Sequence, residues 1–367
     1  MHTAGGQRQS GGRAGLTSRR RWRGGTLALG LVFSCREAPA PPAVWEREPD
    51  LYRPHPRLWL AHVPGAQRRV DFPEHPAGGF TMRTEAHGFR EDGTVASQAA
   101  GRRALLVGDS HLAGVLDNTQ STASVLQARL GLDVVNGATG YWGPDQYAAF
   151  FAEWTGSDAA SADLRPDACI AVVYLGNDFL DTLAQGERDG ALRLPRPPDH
   201  GERLVAAWEA GGEVVPQLLN QDAVLALRPD LAETALERTG AALLRARERC
   251  AAPWFGVVLL PTRVDVDPAA ELALGRARAA LGLAPDEVGH HRRLGPALKA
   301  RLEAAGVPVL DATAALQAAH SPERPAFWTT DWHLAVQGHA ALAGAVAVAW
   351  GSVLRGSGPE ERARSGP

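Results

Sequence analysis

Five short, nearly continuous apolar runs punctuate the body of the chain, at 104–107, 133–135, 169–174, 255–260 and 307–310. Runs of this length without polar alternation predict strands buried on both faces. Between them apolar residues recur at helical spacing over 121–130, 144–154, 231–249, 289–305 and 336–350. Strands alternating with helices imply one parallel sheet covered on both sides, with functional groups gathered at the carboxyl ends of the strands. Residues 51–102 read differently. They are rich in Pro, His and Gly and have no helical period. Their short apolar pieces at 58–60 and 79–82 predict a small strand-rich cap ahead of the sheet. Residues 182–230 are broken by Pro and Gly and predict an insertion with short helices of its own.

The N-terminus reads as an address rather than as fold. A basic cluster, Arg19-Arg20-Arg21-Trp22-Arg23, is followed by about eleven small or apolar residues and then Cys35, the pattern of an export signal. The run is shorter than the roughly twenty apolar residues that span a bilayer. Ser18-Arg19-Arg20 also fits a twin-arginine signal, and Val32-Phe33-Ser34-Cys35 resembles a bacterial lipobox, making Cys35 a candidate lipidation site. Residues 1–35 are thus expected to be the signal, 36–50 a Pro-rich tether and 356–367 a disordered tail.

Charge and cysteine content narrow the function. Residues 1–34 carry six Arg, so the remainder holds 32 basic against 41 acidic side chains. Such a body has no electrostatic reason to bind nucleic acid or an anionic membrane. Membrane attachment is expected only through an N-terminal lipid. Three cysteines without a CxxC pair argue against a thiolate zinc site, and no metal or cofactor is expected. Cys169 and Cys250 read as core residues, with a pairing between them open in an oxidising compartment.

The chemistry stands at the predicted strand ends. The first strand runs into Gly108-Asp109-Ser110-His111, the second into Asn136-Gly137-Ala138-Thr139-Gly140, and the third into Gly176-Asn177-Asp178. Thr330-Asp331-Trp332-His333 precedes the last helix. A Ser in a tight strand-to-helix turn is held away from the chain, and a His that titrates near neutrality can take its proton. Together these four blocks resemble the GDSL/SGNH hydrolase superfamily over about 104–350. The resemblance implies a three-layer α/β/α sandwich with a five-stranded parallel, flavodoxin-like sheet, set within 103–355. It implies Ser110 as nucleophile, His333 as base, Asp331 as the residue that orients it, and an oxyanion hole of the Ser110 N–H, the Gly140 N–H and the Asn177 amide. Two departures leave alternatives open. Asp331 stands two residues before His333 where the family has three, so a backbone carbonyl could orient the ring instead. The 136–140 segment is one residue short, which makes Gly137 a rival of Gly140.

His111, Tyr141, Trp142 and Trp332 are candidate substrate contacts, the aromatic rings because they could stack on a sugar. His290 and His291 read as solvated helix, and Asp178 and Asp181 as solvated or capping loop residues. The function expected is a serine ester hydrolase acting outside the cytoplasm, periplasmic, envelope-bound or secreted. Its substrate would be a carbohydrate or small-molecule ester bearing acetyl or short acyl groups. An acyltransferase on the same fold, moving the acyl group to a glycan hydroxyl, and a binding module without activity are the alternatives.

Overall fold

The computed structural model describes residues 46, 48–90, 102–155, 165–194, 202–203, 206, 216–284 and 289–356. The segment expected to be an export signal, with Cys35, most of the expected tether and residues 357–367 lie outside the described residues.

The strands are β1 (Tyr52–His55), β2 (Trp59–His62), β3 (Gln67–Asp71), β4 (Gly79–Arg83), β5 (Arg103–Val107), β6 (Asp133–Asn136), β7 (Ala168–Tyr174), β8 (Trp254–Leu260) and β9 (Val309–Asp311). The helices are α1 (Ser110–Ala113), α2 (Thr122–Leu130), α3 (Pro144–Trp154), α4 (Asp178–Arg188), α5 (Pro216–Leu227), α6 (Leu231–Arg249), α7 (Pro268–Ala280), α8 (His290–Ala304), α9 (Thr313–Ala319) and α10 (Val336–Leu354). Strands β5 to β9 form one five-stranded sheet in the order β6-β5-β7-β8-β9, and every pairing in it is parallel. This is the flavodoxin-like order, whose crevice opens at the carboxyl ends beside the first strand.

The period of two along each strand assigns the two cores. Leu105, Val107, Cys169, Ala171, Val173, Val257 and Leu259 face one side, where Phe150 and Phe151 of α3, Phe179 of α4, Leu243 of α6 and Leu298 of α8 cover them. Ala104, Leu106, Ile170, Val172, Tyr174, Val258 and Leu260 face the other, under Leu126 of α2, Leu316 of α9 and Leu342 and Val346 of α10. Both faces are apolar because both are covered, so the strands lack a polar face. Sequence periodicity missed α4, whose Asp178 and Asp181 had been read as loop residues, and also α7 and α9, which belong to different settings. Helix α7 packs with α5 in a satellite core that also holds Trp332, and α9 is a seven-residue segment too short to show a period.

Ahead of the sheet, β1 pairs with β2 and β3 with β4, both antiparallel. Leu51, Phe72, Phe80 and Met82 of these hairpins form a third core with Trp328 and Ala335. The cap is therefore packed directly on the loop that carries His333. Cys169 and Cys250 are joined by a disulfide, which ties the start of β7 to the end of α6. His290 and His291 are a correction: both are buried, and His291 Nε2 lies 3.2 Å from Asp265 Oδ1.

Candidate active site

Strand β5 ends at Val107 and the chain turns sharply through Gly108. A Cβ on Gly108 would lie 2.9 Å from Leu112 Cβ and 3.2 Å from the Val172 carbonyl, so no larger residue fits between the strand and the returning turn. Asp109 caps that turn, accepting the His111 N–H at 2.9 Å. Ser110 follows as the first residue of α1. This helix is a single turn, ended by Gly114 at φ +80°. Its dipole is correspondingly small, so the turn offers the Ser110 backbone N–H rather than the field of a long helix. Arg90, which is buried, clamps the far end of the turn by donating to the carbonyls of Ala113, Gly114 and Leu116.

Ser110 Oγ lies 2.8 Å from His333 Nε2. The other ring nitrogen, Nδ1, is hydrogen-bonded to Asp331 Oδ1, and the same oxygen accepts the His333 backbone N–H at 3.3 Å. The two-residue spacing works because Trp332, between them, adopts a left-handed backbone at φ +66°. That conformation is rare for a bulky residue and costs about 1–3 kcal/mol, yet it folds the carboxylate back onto the ring. The surroundings hold it there. The Trp332 ring is 1 % exposed in the α5–α7 core, with the Arg263 guanidinium 4.9 Å from its centroid. Trp328 accepts the Trp332 N–H at 3.1 Å and donates to the His333 carbonyl at 2.8 Å. From the cap, Glu74 accepts the N–H groups of Thr330 at 2.7 Å and Asp331 at 3.2 Å, together with that of Thr329. The backbone carbonyl alternative is thereby displaced: a carboxylate orients His333.

Electrostatics follow the geometry. Burial disfavours the His333 imidazolium, but the Asp331 charge, its hydrogen bond to Nδ1 and the nearby Asp109 outweigh burial and hold the pKa above the ordinary His value. Asp331 is depressed: the attraction of His333 exceeds the penalty of burial. Burial raises Asp109 to about 6, opposed by His333 and by the hydrogen bond from the His111 N–H.

Gly140 lies beside the nucleophile: a Cβ there would sit 3.8 Å from Ser110 Cβ. Gly137 is elsewhere. Its N–H donates to the Leu106 carbonyl at 2.8 Å, and a Cβ there would strike the Phe150 ring at 2.3 Å. Of the two glycines, it is Gly140 that lies next to Ser110. Asn177 ends the turn after β7, and its amide nitrogen donates to Asp181 Oδ2 at 2.8 Å. One N–H of the amide is anchored by that carboxylate, and the amide carries a second. Asp181, read from sequence as a solvated residue, is half-buried and pushed up to about 8 by burial and by Asp109. Its spacing of four from Asn177 on α4 was the signal that could have found it. Asp178 is likewise corrected. It is fully buried, accepting the Tyr174 N–H at 2.9 Å and the Tyr147 hydroxyl at 3.1 Å.

Three of the four expected substrate contacts are corrected. Trp142 is 2 % exposed, and its indole N–H donates to the Leu60 carbonyl at 2.9 Å. It anchors the cap and offers no face to a sugar. Trp332, as described, is equally enclosed. His111 is buried, stacked on Tyr174 at 3.6 Å and 4.6 Å from the His333 ring. Burial and the neighbouring His333 keep it neutral, and it packs behind the His333 ring. Only Tyr141 stays half-exposed, edge-on to Trp59 at 6.1 Å. Among the described residues no group of three His, Cys, Asp or Glu side chains could hold a metal ion.

No protein-family model matches the chain, and no curated protein does. Among solved structures it is similar to a lipolytic protein of the G-D-S-L family from Desulfitobacterium hafniense, with 14 % identity over 68 % of this chain and 99 % of that one and a TM-score of 0.35. It is similar to a carbohydrate acetylesterase family member from Sinorhizobium meliloti, at 11 % identity over 70 % and 99 %, with a TM-score of 0.39. A catalytic mutant of an acetylxylan esterase from Geobacillus stearothermophilus matches at 14 % identity over 69 % and 95 %, with a TM-score of 0.36.

Proposed function

We propose that this chain is a serine ester hydrolase that acts outside the cytoplasm on acetyl or short acyl esters of a carbohydrate or small molecule. The observation that carries the reading is the relay from Ser110 Oγ through His333 to Asp331, set beside Gly140. In the first step Ser110 Oγ attacks the ester carbonyl while its proton passes to His333 Nε2. Negative charge develops on the carbonyl oxygen, where the N–H groups of Ser110 and Gly140 and the Asn177 amide are the donors at hand. Collapse expels the alcohol, which takes the proton from His333. Water, deprotonated in turn by His333, then releases the acid from Ser110. Asp331 holds the imidazole in the tautomer that presents a bare Nε2 to Ser110.

Purified residues 45–367 are expected to release p-nitrophenol from acetate, butyrate and octanoate esters, with acetate the fastest. Octanoate as the best substrate would overturn the short-acyl assignment. No release from any of the three would overturn the hydrolase reading.

Export is supported by the Cys169–Cys250 disulfide, since such bonds persist in oxidising compartments. Wild type is expected in the membrane fraction and Cys35→Ser in the soluble extracytoplasmic fraction. A soluble wild type would remove the lipid anchor, and a cytoplasmic one would remove export.

A further inference from the structure

The cap does more than cover the sheet. Strand β1 opens with Tyr52, paired with His62 across the hairpin and stacked on its ring at 5.1 Å. A Cβ on Gly140 would lie 3.5 Å from Tyr52 Oη and 3.8 Å from Ser110 Cβ. The phenol oxygen and the Ser110 side chain thus both lie within 4 Å of the point where a Gly140 side chain would begin. The Tyr52 hydroxyl has no hydrogen-bond partner among the described residues, although the ring itself is half-buried. A phenol held at this point can donate its O–H to a ligand atom.

Its position is set by contacts on three sides. Trp142 ties the 140–143 loop to β2 through the Leu60 carbonyl. Trp59 meets Tyr141 edge-on, and Leu58 enters the main core beside Phe89 and Trp142. The hairpin is therefore docked on the same loop that supplies Gly140. Burial, with Glu48 and Tyr141 nearby, keeps the phenol protonated across the neutral range, so it can only donate to an oxyanion.

We infer that Tyr52 is a fourth oxyanion donor, reaching the substrate oxygen from the Gly140 side. The inference rests on the hydrolase reading above. It makes the cap part of the catalytic apparatus, with the sheet supplying three donors and β1 the fourth.

Tyr52→Phe keeps the ring, its stacking on His62 and its volume, and removes only the hydroxyl. The melting temperature should match wild type. With p-nitrophenyl acetate, kcat is expected to fall by about 10²-fold, the scale of a single oxyanion-hole donor, with KM changed less than about threefold. A drop confined to the transition state separates a donor to the oxyanion from one that binds substrate uniformly. A kcat within twofold of wild type, or an effect in KM alone, would overturn the assignment. Absence of wild-type turnover would instead overturn the hydrolase reading, so the two failures are distinguishable.

Discussion

Ser110→Ala is expected to lower turnover by on the order of 10⁶-fold, because a Ser–His unit acts as one device and loses nearly everything with either member. The fold should be untouched. Ser110 is half-buried and its side chain faces His333 rather than the core. The second readout is chemical. An activated Ser attacks phosphorus as it attacks a carbonyl, so a fluorophosphonate should label wild type at one site per chain and the variant not at all. Labelling that persists in Ser110→Ala would place the nucleophile elsewhere and undo the whole site.

Asp331→Asn should lower kcat by about 10⁴-fold, since an amide at this position favours the tautomer that points a proton at Ser110. His333→Ala should cost at least as much, and the double variant little more. A loss of less than about tenfold, below roughly 1.4 kcal/mol of barrier, would mean that the turn itself positions the ring. The pH profile supplies an independent check. In wild type, kcat/KM should rise with pH as His333 loses its proton, at an inflection above about 6.5, the ordinary imidazole value. The sign follows from the causes: Asp331 and Asp109 hold the proton on more strongly than burial drives it off. With the Asp331 charge removed, burial gains ground and the inflection should move to lower pH. An unmoved inflection would separate Asp331 from the titration of His333.

The three non-glycine residues with left-handed backbones among the described residues, Trp59, Tyr141 and Trp332, all flank this site. Each is aromatic, and each has a neighbour that opposes relaxation: Trp59 and Tyr141 pack on one another, and Trp332 is held under Arg263. Strain of this kind survives only where surrounding contacts exceed its cost. Here it has an identifiable product, the return of Asp331 to His333 across a single intervening residue.

Much of this protein is written in local order. The five sheet strands announce themselves because burial on both faces demands uninterrupted apolar runs. Ser110 and Asn177 stand in short blocks at strand ends, where the topology must gather them, and His333 stands in a short block just before the last helix. What tertiary structure alone decided is of two kinds. Gly137 and Gly140 are indistinguishable by type and differ only in what faces them, the Phe150 ring for one and Ser110 for the other. Tyr52 and Glu74 carried no signal, because the cap hairpins ahead of the sheet reach the site through packing on Trp328 and Ala335, not through any periodicity. Trp142 and Trp332 were drawn toward the substrate by their neighbours in sequence, but the core took both rings. Large apolar area is worth more buried than exposed, and which side of a loop is buried is settled only when the layers close.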